Sequence, residues 1–218
     1  YGGYVDPVVG VGTDGNLFVV AGGNVALTDS SAARMFGVSA GQAASIVGGS
    51  AGEDLLMLAG TTANLANFTA GDDITVEGPD GITVQNVATT GAGADTANLD
   101  TFTSASVSFI INTAAADGAN IVLTSSNGAI TGGGTIDANG NLTANAASDI
   151  TQGSFIAGGN LAMTAGAAID VIGATGGSVA LDGATGVAAD AVTSQGLTSL
   201  TANGGAIAIG NLSSVGAV

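Results

Sequence analysis

The sequence predicts an all-β fold in which short strands coil repeatedly into a parallel β-helix. The first observation is an internal repeat within residues 140–173, where Asn141-Leu142 returns as Asn160-Leu161. The second is the composition, because 38 glycines and 46% hydrophobic residues accompany only 8% charged residues. Such a chain is too hydrophobic for disorder and too rich in glycine for helices. A period of about 20 residues then indicates a stacked architecture with one repeat per coil.

Aliphatic residues recur at this period in three series. The first series consists of Leu123, Leu142, Leu161, Val179 and Leu200. The second series consists of Ile130, Ile150, Ile169, Val187 and Ile207. A third, fainter series consists of Ile136, Ile156, Val192 and Leu212. We expect the members of the first two series to stack inside the helix as its core.

Each repeat contains two or three short segments of alternating character, such as Ile169-Asp170-Val171. Alternation with a period of two predicts a strand with one buried face. Strands this short are stable only if each pairs in parallel with its copy in the next coil, about 4.8 Å away. The glycine, asparagine and aspartate residues between the segments fit turns that require a positive φ.

Three other architectures fit the sequence less well. A propeller blade needs about 40 residues and four antiparallel strands. A leucine-rich repeat has a similar period, but it requires a denser leucine pattern and a fixed asparagine. A coiled coil is excluded because glycine at this density destabilises a helix.

We expect one continuous β-helix over residues 1–218, with regular repeats in 119–218 and less regular turns with longer loops in 1–118. The wider loops are expected near residues 30–52 and 89–103, and residues 31–36 have some helical propensity. About 11 turns would give a rod about 50 Å long. Both ends read as further repeat without a capping element, so we expect either a longer chain or copies that stack end to end.

The charge balance excludes several classes of partner. One Arg, no Lys, no His and 17 acidic residues give a net charge of −16, so the chain offers no basic surface to nucleic acid or anionic lipid. No apolar run reaches the roughly 18–20 residues that span a bilayer. We interpret the acidity as a means of keeping an elongated surface soluble. The absence of cysteine fits an exported bacterial protein without disulfides and equally a cytosolic one.

Carboxylates are the candidates for acid–base chemistry, in the adjacent pairs Glu53-Asp54 and Asp72-Asp73. Adjacent residues of a strand point to opposite faces, so neither pair is expected to share one site, and we interpret these acids as turn caps. Without His or Cys, the usual Ser/His and Cys/His nucleophile systems and zinc sites cannot form. We therefore predict no catalytic residue and no cofactor.

One calcium-binding pattern is approached in residues 132–137, Gly-Gly-Gly-Thr-Ile-Asp, which resemble one copy of the repeat G-G-x-G-x-D. Thr135 stands where that repeat requires glycine, and each ion needs copies in consecutive turns. Asp137 is therefore a weak calcium candidate, and no other metal ligand is predicted. We expect Arg34 to pair at the surface with an acid such as Asp29.

Two phrases, GNLTANAASDITQGSFIAGGNLAMTAGAAIDV at 140–171 and AGDDITVEGPDGITVQ at 70–85, resemble the shaft repeats of filamentous-haemagglutinin-like large exoproteins of Gram-negative bacteria. The resemblance covers residues 70–218 and, loosely, the first seventy. It implies a right-handed parallel β-helix that is exported by two-partner secretion and displayed at the cell surface as an adhesin. The Asn-Pro-Asn-Gly-type motif of the family's secretion domain does not occur here, so the segment is interpreted as shaft.

These observations together predict a structural role. We expect a non-enzymatic, extracellular rod or filament on the bacterial cell surface, whose partner is a host or neighbouring-cell surface or matrix of unknown identity. Head-to-tail self-association into a surface fibre or sheath is a second expectation. A glycan-active β-helix enzyme is the alternative from a different functional class.

Overall fold

The protein is all-β and forms a parallel β-helix, which confirms the predicted fold class. The computed structural model describes residues 8–11, 15–91, 100–103, 108–111 and 119–216, and it describes side chains in 15–91 and 119–216. These residues contain 22 strands and no helix. The strands form two ten-stranded sheets and one separate two-stranded pair.

Sheet A receives one short strand from every coil of the chain. All of its strands pair in parallel except the first, which is antiparallel to its neighbour. In spatial order, sheet A contains β1 (Val8–Val11), β2 (Leu17–Ala21), β4 (Phe36–Ala40), β6 (Leu55–Ala59), β8 (Ile74–Glu77), β12 (Ile121–Ser125), β15 (Leu142–Ala146), β17 (Asn160–Ala165), β19 (Ser178–Gly183) and β21 (Thr198–Ala202).

Sheet B receives the second, longer strand of every coil, and all of its strands pair in parallel. In spatial order, sheet B contains β3 (Val25–Ala32), β5 (Ala44–Ala51), β7 (Thr62–Ala70), β9 (Gly81–Thr89), β13 (Ile130–Gly132) with β14 (Thr135–Ala138), β16 (Ile150–Ala157), β18 (Ala168–Gly176), β20 (Gly186–Ser194) and β22 (Ile207–Ser214). The separate pair consists of β10 (Asp100–Thr103) and β11 (Ser108–Ile111), which are antiparallel.

One strand of sheet A and the following strand of sheet B make one coil, and nine coils follow each other from β2 to β22. With a spacing of about 4.8 Å, the stack is about 40 Å long. It is shorter than the sequence predicts, because the chain leaves the helix between β9 and β12. The step from Asp73 to its counterpart Asn120 is 47 residues, whereas the step from Asp54 to Asp73 is 19. Part of this excursion falls within the wide loop expected near 89–103.

The second predicted series forms one continuous column of sheet B. Ile130 pairs with Ile150, and the pairing continues in register through Ile169, Val187 and Ile207. The first four of these five side chains are at most 1% exposed. Below Ile130, the same column continues to Ile82. Like residues therefore stack on like residues along the axis.

The first predicted series is divided between two columns of sheet A. Leu142, Leu161 and Val179 pair in register, but the residue under Leu142 is Ile121 and the residue beyond Val179 is Thr198. The predicted members Leu123 and Leu200 lie in the adjacent column, two residues further along. They pair with Ala144 and Leu181 respectively. Both columns point inward. The alternating pattern does not distinguish position i from position i+2, so the prediction placed all leucines in one column.

The third series contains a one-residue error. Ile136 pairs with Phe155 rather than with Ile156, and this column continues through Ala174 to Val192. Phe155 is completely buried, whereas Ile156 is 36% exposed on the outer face. The prediction chose the isoleucine because it compared aliphatic residues and passed over the aromatic one.

The first four coils, within residues 15–91, are the most regular ones, whereas less regular turns were expected there. Leu17, Phe36, Leu55 and Ile74 pair in register at intervals of 19 residues. No wide loop occurs within 30–52, and residues 31–36 lie at the end of β3 and the start of β4 instead of in a helix. Inward positions here include Phe, Met and several Ala residues, so a search for recurring leucine and isoleucine missed the period.

The corner within the sheet B strand changes its backbone geometry at the fifth coil. In coils one to five, each corner contains a residue with a φ between 47° and 86°, and these residues are Asp29, Gly48, Asn67, Asn86 and Gly134. Gly49 and Gly132 of the second and fifth coils also have positive φ values, of 139° and 159°. Among the described residues of coils six to nine, none has a positive φ. Asparagine, aspartate and glycine are the residue types that tolerate this conformation, which explains their recurrence in the first five coils.

The change of geometry coincides with one extra residue in the fifth coil. Gly132 pairs with Val84 and Ile136 pairs with Val87, so three residues lie where the fourth coil has two. A side chain at position 132 would collide with the carbonyl oxygen of Val84, which explains the glycine. The buried Gln152 reaches back from the sixth coil, and its Nε2 donates to that carbonyl at 3.1 Å. The bulge is thus stabilised by a long polar side chain from the next coil.

Substitution of two adjacent residues tests this account of the core. We expect Phe155→Ala to lower the free energy of unfolding by about 3–5 kcal/mol, because it removes a fully buried ring from a packed column. Ile156→Ala, on the outer face of the same strand, is the matched control and should change it by about 0.5 kcal/mol or less. Urea unfolding followed by circular dichroism measures both. Equal effects of the two substitutions would contradict the assigned register.

Candidate functional site

The most continuous polar feature of the described residues is a column at the corner where the strands of sheet A begin, just before the strand or at its first residue. We call this column the corner ladder. It consists of Asn16, Met35, Asp54, Asp73, Asn120, Asn141, Asn160, Ser178 and Leu197. Six of its nine members are asparagine or aspartate. These residue types have a short side chain with an oxygen that can accept a hydrogen bond from a nearby backbone N–H.

The side-chain oxygen of each of the six asparagine and aspartate members accepts a hydrogen bond from the next coil. Asp73 Oδ1 accepts from the backbone N–H of Asn120 at 2.7 Å, and Asn120 Oδ1 accepts from that of Asn141 at 2.8 Å. Asn141 Oδ1 accepts from that of Asn160 at 2.9 Å. The same bond joins Asn16 to Met35 and Asp54 to Asp73, each at 3.1 Å. The ladder therefore binds backbone donors that the turn would otherwise leave unpaired.

A second corner, before the strands of sheet B, uses the same bond less often. Asn24 Oδ1 accepts from the N–H of Ala43 at 3.0 Å, and Asp149 Oδ1 accepts from that of Ala168 at 2.9 Å. In the intervening coils this position holds residues such as Thr62 and Gly81. Side-chain capping is thus concentrated on the edge where sheet A begins.

The two carboxylate pairs singled out from the sequence lie in consecutive coils at this edge. Asp54 and Asp73 belong to the corner ladder and cap turns, as predicted. Glu53 and Asp72 form the neighbouring column, where the N–H of Asp72 donates to the carbonyl oxygen of Glu53 at 3.0 Å. All four residues precede strands instead of lying within them, so the alternation argument used in the sequence prediction does not apply. The two pairs are stacked on each other, and the carboxylates of Asp54 and Asp73 accept hydrogen bonds from backbone N–H groups of the next coil.

Arg34 is paired with Glu53, not with Asp29 as the sequence suggested. Its Nε lies 2.9 Å from Glu53 Oε1, and both side chains are partly exposed. The two residues are 19 positions apart and occupy the same corner of consecutive coils, whereas Asp29 lies at the corner of the sheet B strand. An exposed pair of this kind contributes at most about 1 kcal/mol. The arginine offsets part of the negative charge of the stacked acids.

Among the described residues, the calcium candidate Asp137 belongs to no cluster of acidic side chains. Asp137 lies exposed on β14. Within the described ranges, no group of three or more His, Cys, Asp or Glu residues could hold a metal ion. The described residues also include no helix that could cross a membrane.

A shallow cleft of about 280 Å³ lies beside the corner ladder in coils four to six. Its polar wall consists of the ladder members Asp73, Asn120 and Asn141, and its other wall includes Thr75 and Thr143 of sheet A. The cleft is located where the chain rejoins the helix after its excursion. Its lining combines hydroxyl, amide and carboxylate groups with the apolar residues Ile74, Ile121 and Val122, and it contains no cationic side chain. The sequence did not predict it, because the excursion brings residues 47 positions apart into contact.

The two ends of the described stack differ. At the first coil, β1 pairs antiparallel with β2 and occupies the outer edge of sheet A. At the ninth coil, β21 and β22 have no further strand partner among the described residues. There the inward columns are exposed, with Ile207 at 47% and Leu212 at 44%. The expectation of two equally uncapped ends is therefore incorrect at the first coil, where a short antiparallel strand covers one sheet edge.

Comparisons with known proteins do not place this chain in a family. None of the protein family models, the curated proteins or the solved structures matches it. The resemblance of its repeats to filamentous-haemagglutinin-like exoproteins is therefore carried by the repeat phrases alone.

Removal of one ladder side chain tests the role assigned to this column. We expect Asn141→Ala to lower the free energy of unfolding by about 1 kcal/mol and to accelerate hydrogen exchange at the Asn160 amide, whose acceptor is lost. Asn141→Asp keeps an acceptor and should preserve most of the protection. Asn145→Ala, on the exposed outer face of the following strand, is the matched control. Unchanged exchange at Asn160 in Asn141→Ala would contradict the role of the ladder.

Proposed function

We propose that this chain is a non-enzymatic structural protein, a rigid rod that acts as a spacer or filament segment on the outside of a bacterial cell. The observation that supports this proposal best is the unbroken parallel pairing of nine coils. Each coil contacts its neighbours through two sheets, and the buried columns continue from the first coil to the eighth, with partly buried members in the ninth. Such a stack resists bending and presents a long surface, which are the properties of a spacer.

The surface chemistry agrees with a mechanical role. The side chains that could do chemistry are carboxylates, and those at the corner ladder are engaged by backbone donors of the next coil. The net charge of −16 keeps elongated particles from associating nonspecifically. With one arginine and no lysine, the chain also offers a single site to trypsin-like proteases, which is an advantage outside the cell.

We further propose that the rod is displayed at the cell surface. There it would contact a host or neighbouring-cell surface or a matrix. Display and contact are both supported by the resemblance of residues 140–171 and 70–85 to the shafts of two-partner-secretion adhesins. The rod would carry adhesive segments away from the membrane, and the excursion between β9 and β12 provides a position for such a segment.

Deletion of one whole coil tests the proposal. Removal of residues 36–54 takes out one period of 19, so that Leu17 would stack on Leu55 and the register would be restored. We expect this variant to fold, to be shorter by about 4.8 Å in small-angle scattering, and to be labelled by antibody on intact cells of the source bacterium.

Removal of residues 36–45 is the matched control, because it deletes half a coil and breaks the register. We expect this shorter deletion to prevent folding and display. Failure of the one-coil deletion to fold would contradict the modular rod. Labelling only after the cells are permeabilised would contradict the surface location.

A second candidate function is favoured by the exposed inward columns of the ninth coil. Head-to-tail stacking of copies would place the inward residues Val25 and Leu27 of one copy on Ile207 and Ile209 of another, apolar on apolar. A heterologous contact of this kind generates an open fibre. The strand β1 opposes it, since it occupies the edge of β2 that a parallel strand would need.

The self-association candidate predicts that β1 limits the length of assemblies. Deletion of residues 1–11 should increase the mean mass measured by sedimentation velocity, because the edge of β2 becomes available. Ile207→Asp in the same truncated chain should restore the monomer by placing a charge in the contact. A truncated chain that remains monomeric at every concentration would rule out this candidate.

A further inference from the structure

Three asparagines of the described residues are followed directly by glycine, at Asn127, Asn139 and Asn203. An asparagine in this context can cyclise. The backbone nitrogen of the glycine attacks the side-chain carbon Cγ and forms a new C–N bond. The bond from Cγ to Nδ2 then breaks, and ammonia leaves with the proton of the glycine N–H. Water opens the resulting succinimide to aspartate or isoaspartate, so water is the only co-reactant.

The reaction requires a glycine nitrogen that is free to approach Cγ and a backbone that can rotate. Glycine favours it because it has no Cβ to obstruct the approach. A hydrogen bond from the glycine N–H to a fixed acceptor opposes it, and so does a hydrogen bond that holds the asparagine amide. The folded structure therefore decides which of the three sites reacts.

Asn127 and Asn203 are located in equivalent corners, between the sheet A and sheet B strands of coils five and nine. Both side chains are exposed. Their own backbone N–H groups donate to Pro79 and Gly183 respectively. Among the described residues, however, the N–H groups of Gly128 and Gly204 donate no hydrogen bond, and neither asparagine side chain makes one. At both sites, the attacking nitrogen and the asparagine amide are therefore free of the hydrogen bonds that oppose the reaction.

At Asn139, by contrast, hydrogen bonds hold both the side-chain amide and the N–H of the following glycine. Its Nδ2 donates to the carbonyl oxygen of Gly91 at 2.9 Å, which fixes the leaving amide. The N–H of Gly140 donates to the carbonyl oxygen of Ala119 at 2.7 Å, which fixes the attacking nitrogen. The N–H of Asn139 itself donates to Thr89 Oγ1 at 2.9 Å. Cyclisation at this site requires all these bonds to open together, so it depends on local unfolding.

We propose that Asn127 and Asn203 are sites of spontaneous deamidation in the folded protein and that Asn139 is protected. Glycine is fixed at position 128 by packing, because a Cβ there would collide with the carbonyl oxygen of Asp80. Each conversion adds one carboxylate to a chain whose net charge is already −16. Isoaspartate also lengthens the backbone by one atom. The corner accommodates this change, since its length already varies from two residues at 60–61 to four at 126–129.

The experiment follows all three sites in one sample. The purified chain is incubated in mildly alkaline buffer, and portions taken at intervals are digested with a protease of broad specificity and analysed by mass spectrometry. A parallel sample is incubated in concentrated urea. We expect deamidation at Asn127 and Asn203 to be about tenfold or more faster than at Asn139 in the folded protein. In urea, the three rates should converge, because the sequence context is the same.

The double variant Asn127→Gln with Asn203→Gln is the control, since glutamine cyclises much more slowly and only Asn139 then remains. We expect this variant to retain its charge during incubation under native conditions and to deamidate at Asn139 in urea. Similar native rates at Asn139 and Asn127 would overturn the proposal. It would equally be overturned if neither Asn127 nor Asn203 reacted in the folded protein while all three sites reacted in urea.

Discussion

The structure depends on the register between consecutive coils. Each strand is too short to be stable alone, and its backbone groups are satisfied only when the same segment of the next coil lies directly above it. That pairing places inward side chains in columns, from which water is excluded through nearly the whole stack. A shift by one residue would turn every inward side chain outward. The sequence keeps the strand segments aligned for this reason, while it varies the corners between them.

The corners differ in length from coil to coil without changing the pairing of the strands. Apart from the fourth coil, coil lengths range from 18 residues at Asn160–Ser178 to 21 at Asn120–Asn141, yet the strands on both sides of the corners stay aligned. The corner ladder contributes to this alignment, because each of its asparagines and aspartates accepts a hydrogen bond from the next coil, from a backbone N–H in five cases and from the Ser178 hydroxyl at Asn160. The bulge of the fifth coil shows the same principle in the interior, where Gln152 supplies the hydrogen bond that the coil beneath it cannot make. Polar groups are used here to maintain register, whereas the apolar columns provide the stability.

The sequence predicted the architecture because a period near 19 residues, short alternating segments and frequent glycine have few other physical explanations. It also located the five members of one core column from Ile130 to Ile207, since these are all β-branched and recur at nearly equal intervals. The prediction failed where one sequence pattern fits more than one structure. Positions i and i+2 of a strand face the same way, so Leu123 and Leu200 were assigned to the wrong one of two neighbouring columns. Phe36 and Phe68, whose ring centroids lie 5.7 Å apart, occupy core positions that a search for aliphatic residues does not recognise. The partner of Arg34 depends on which corners are stacked, and this becomes known only when the register is known.

The excursion between β9 and β12 has a consequence for how this kind of molecule can change over generations. The fourth and fifth coils remain paired, Ile74 on Ile121, although 47 residues separate them along the chain. A long connection between two paired coils is therefore compatible with the register of the shaft, and the lengths of the connection and of the shaft can change separately. Selection can act on the two regions independently, so that new recognition properties can arise on an unchanged scaffold.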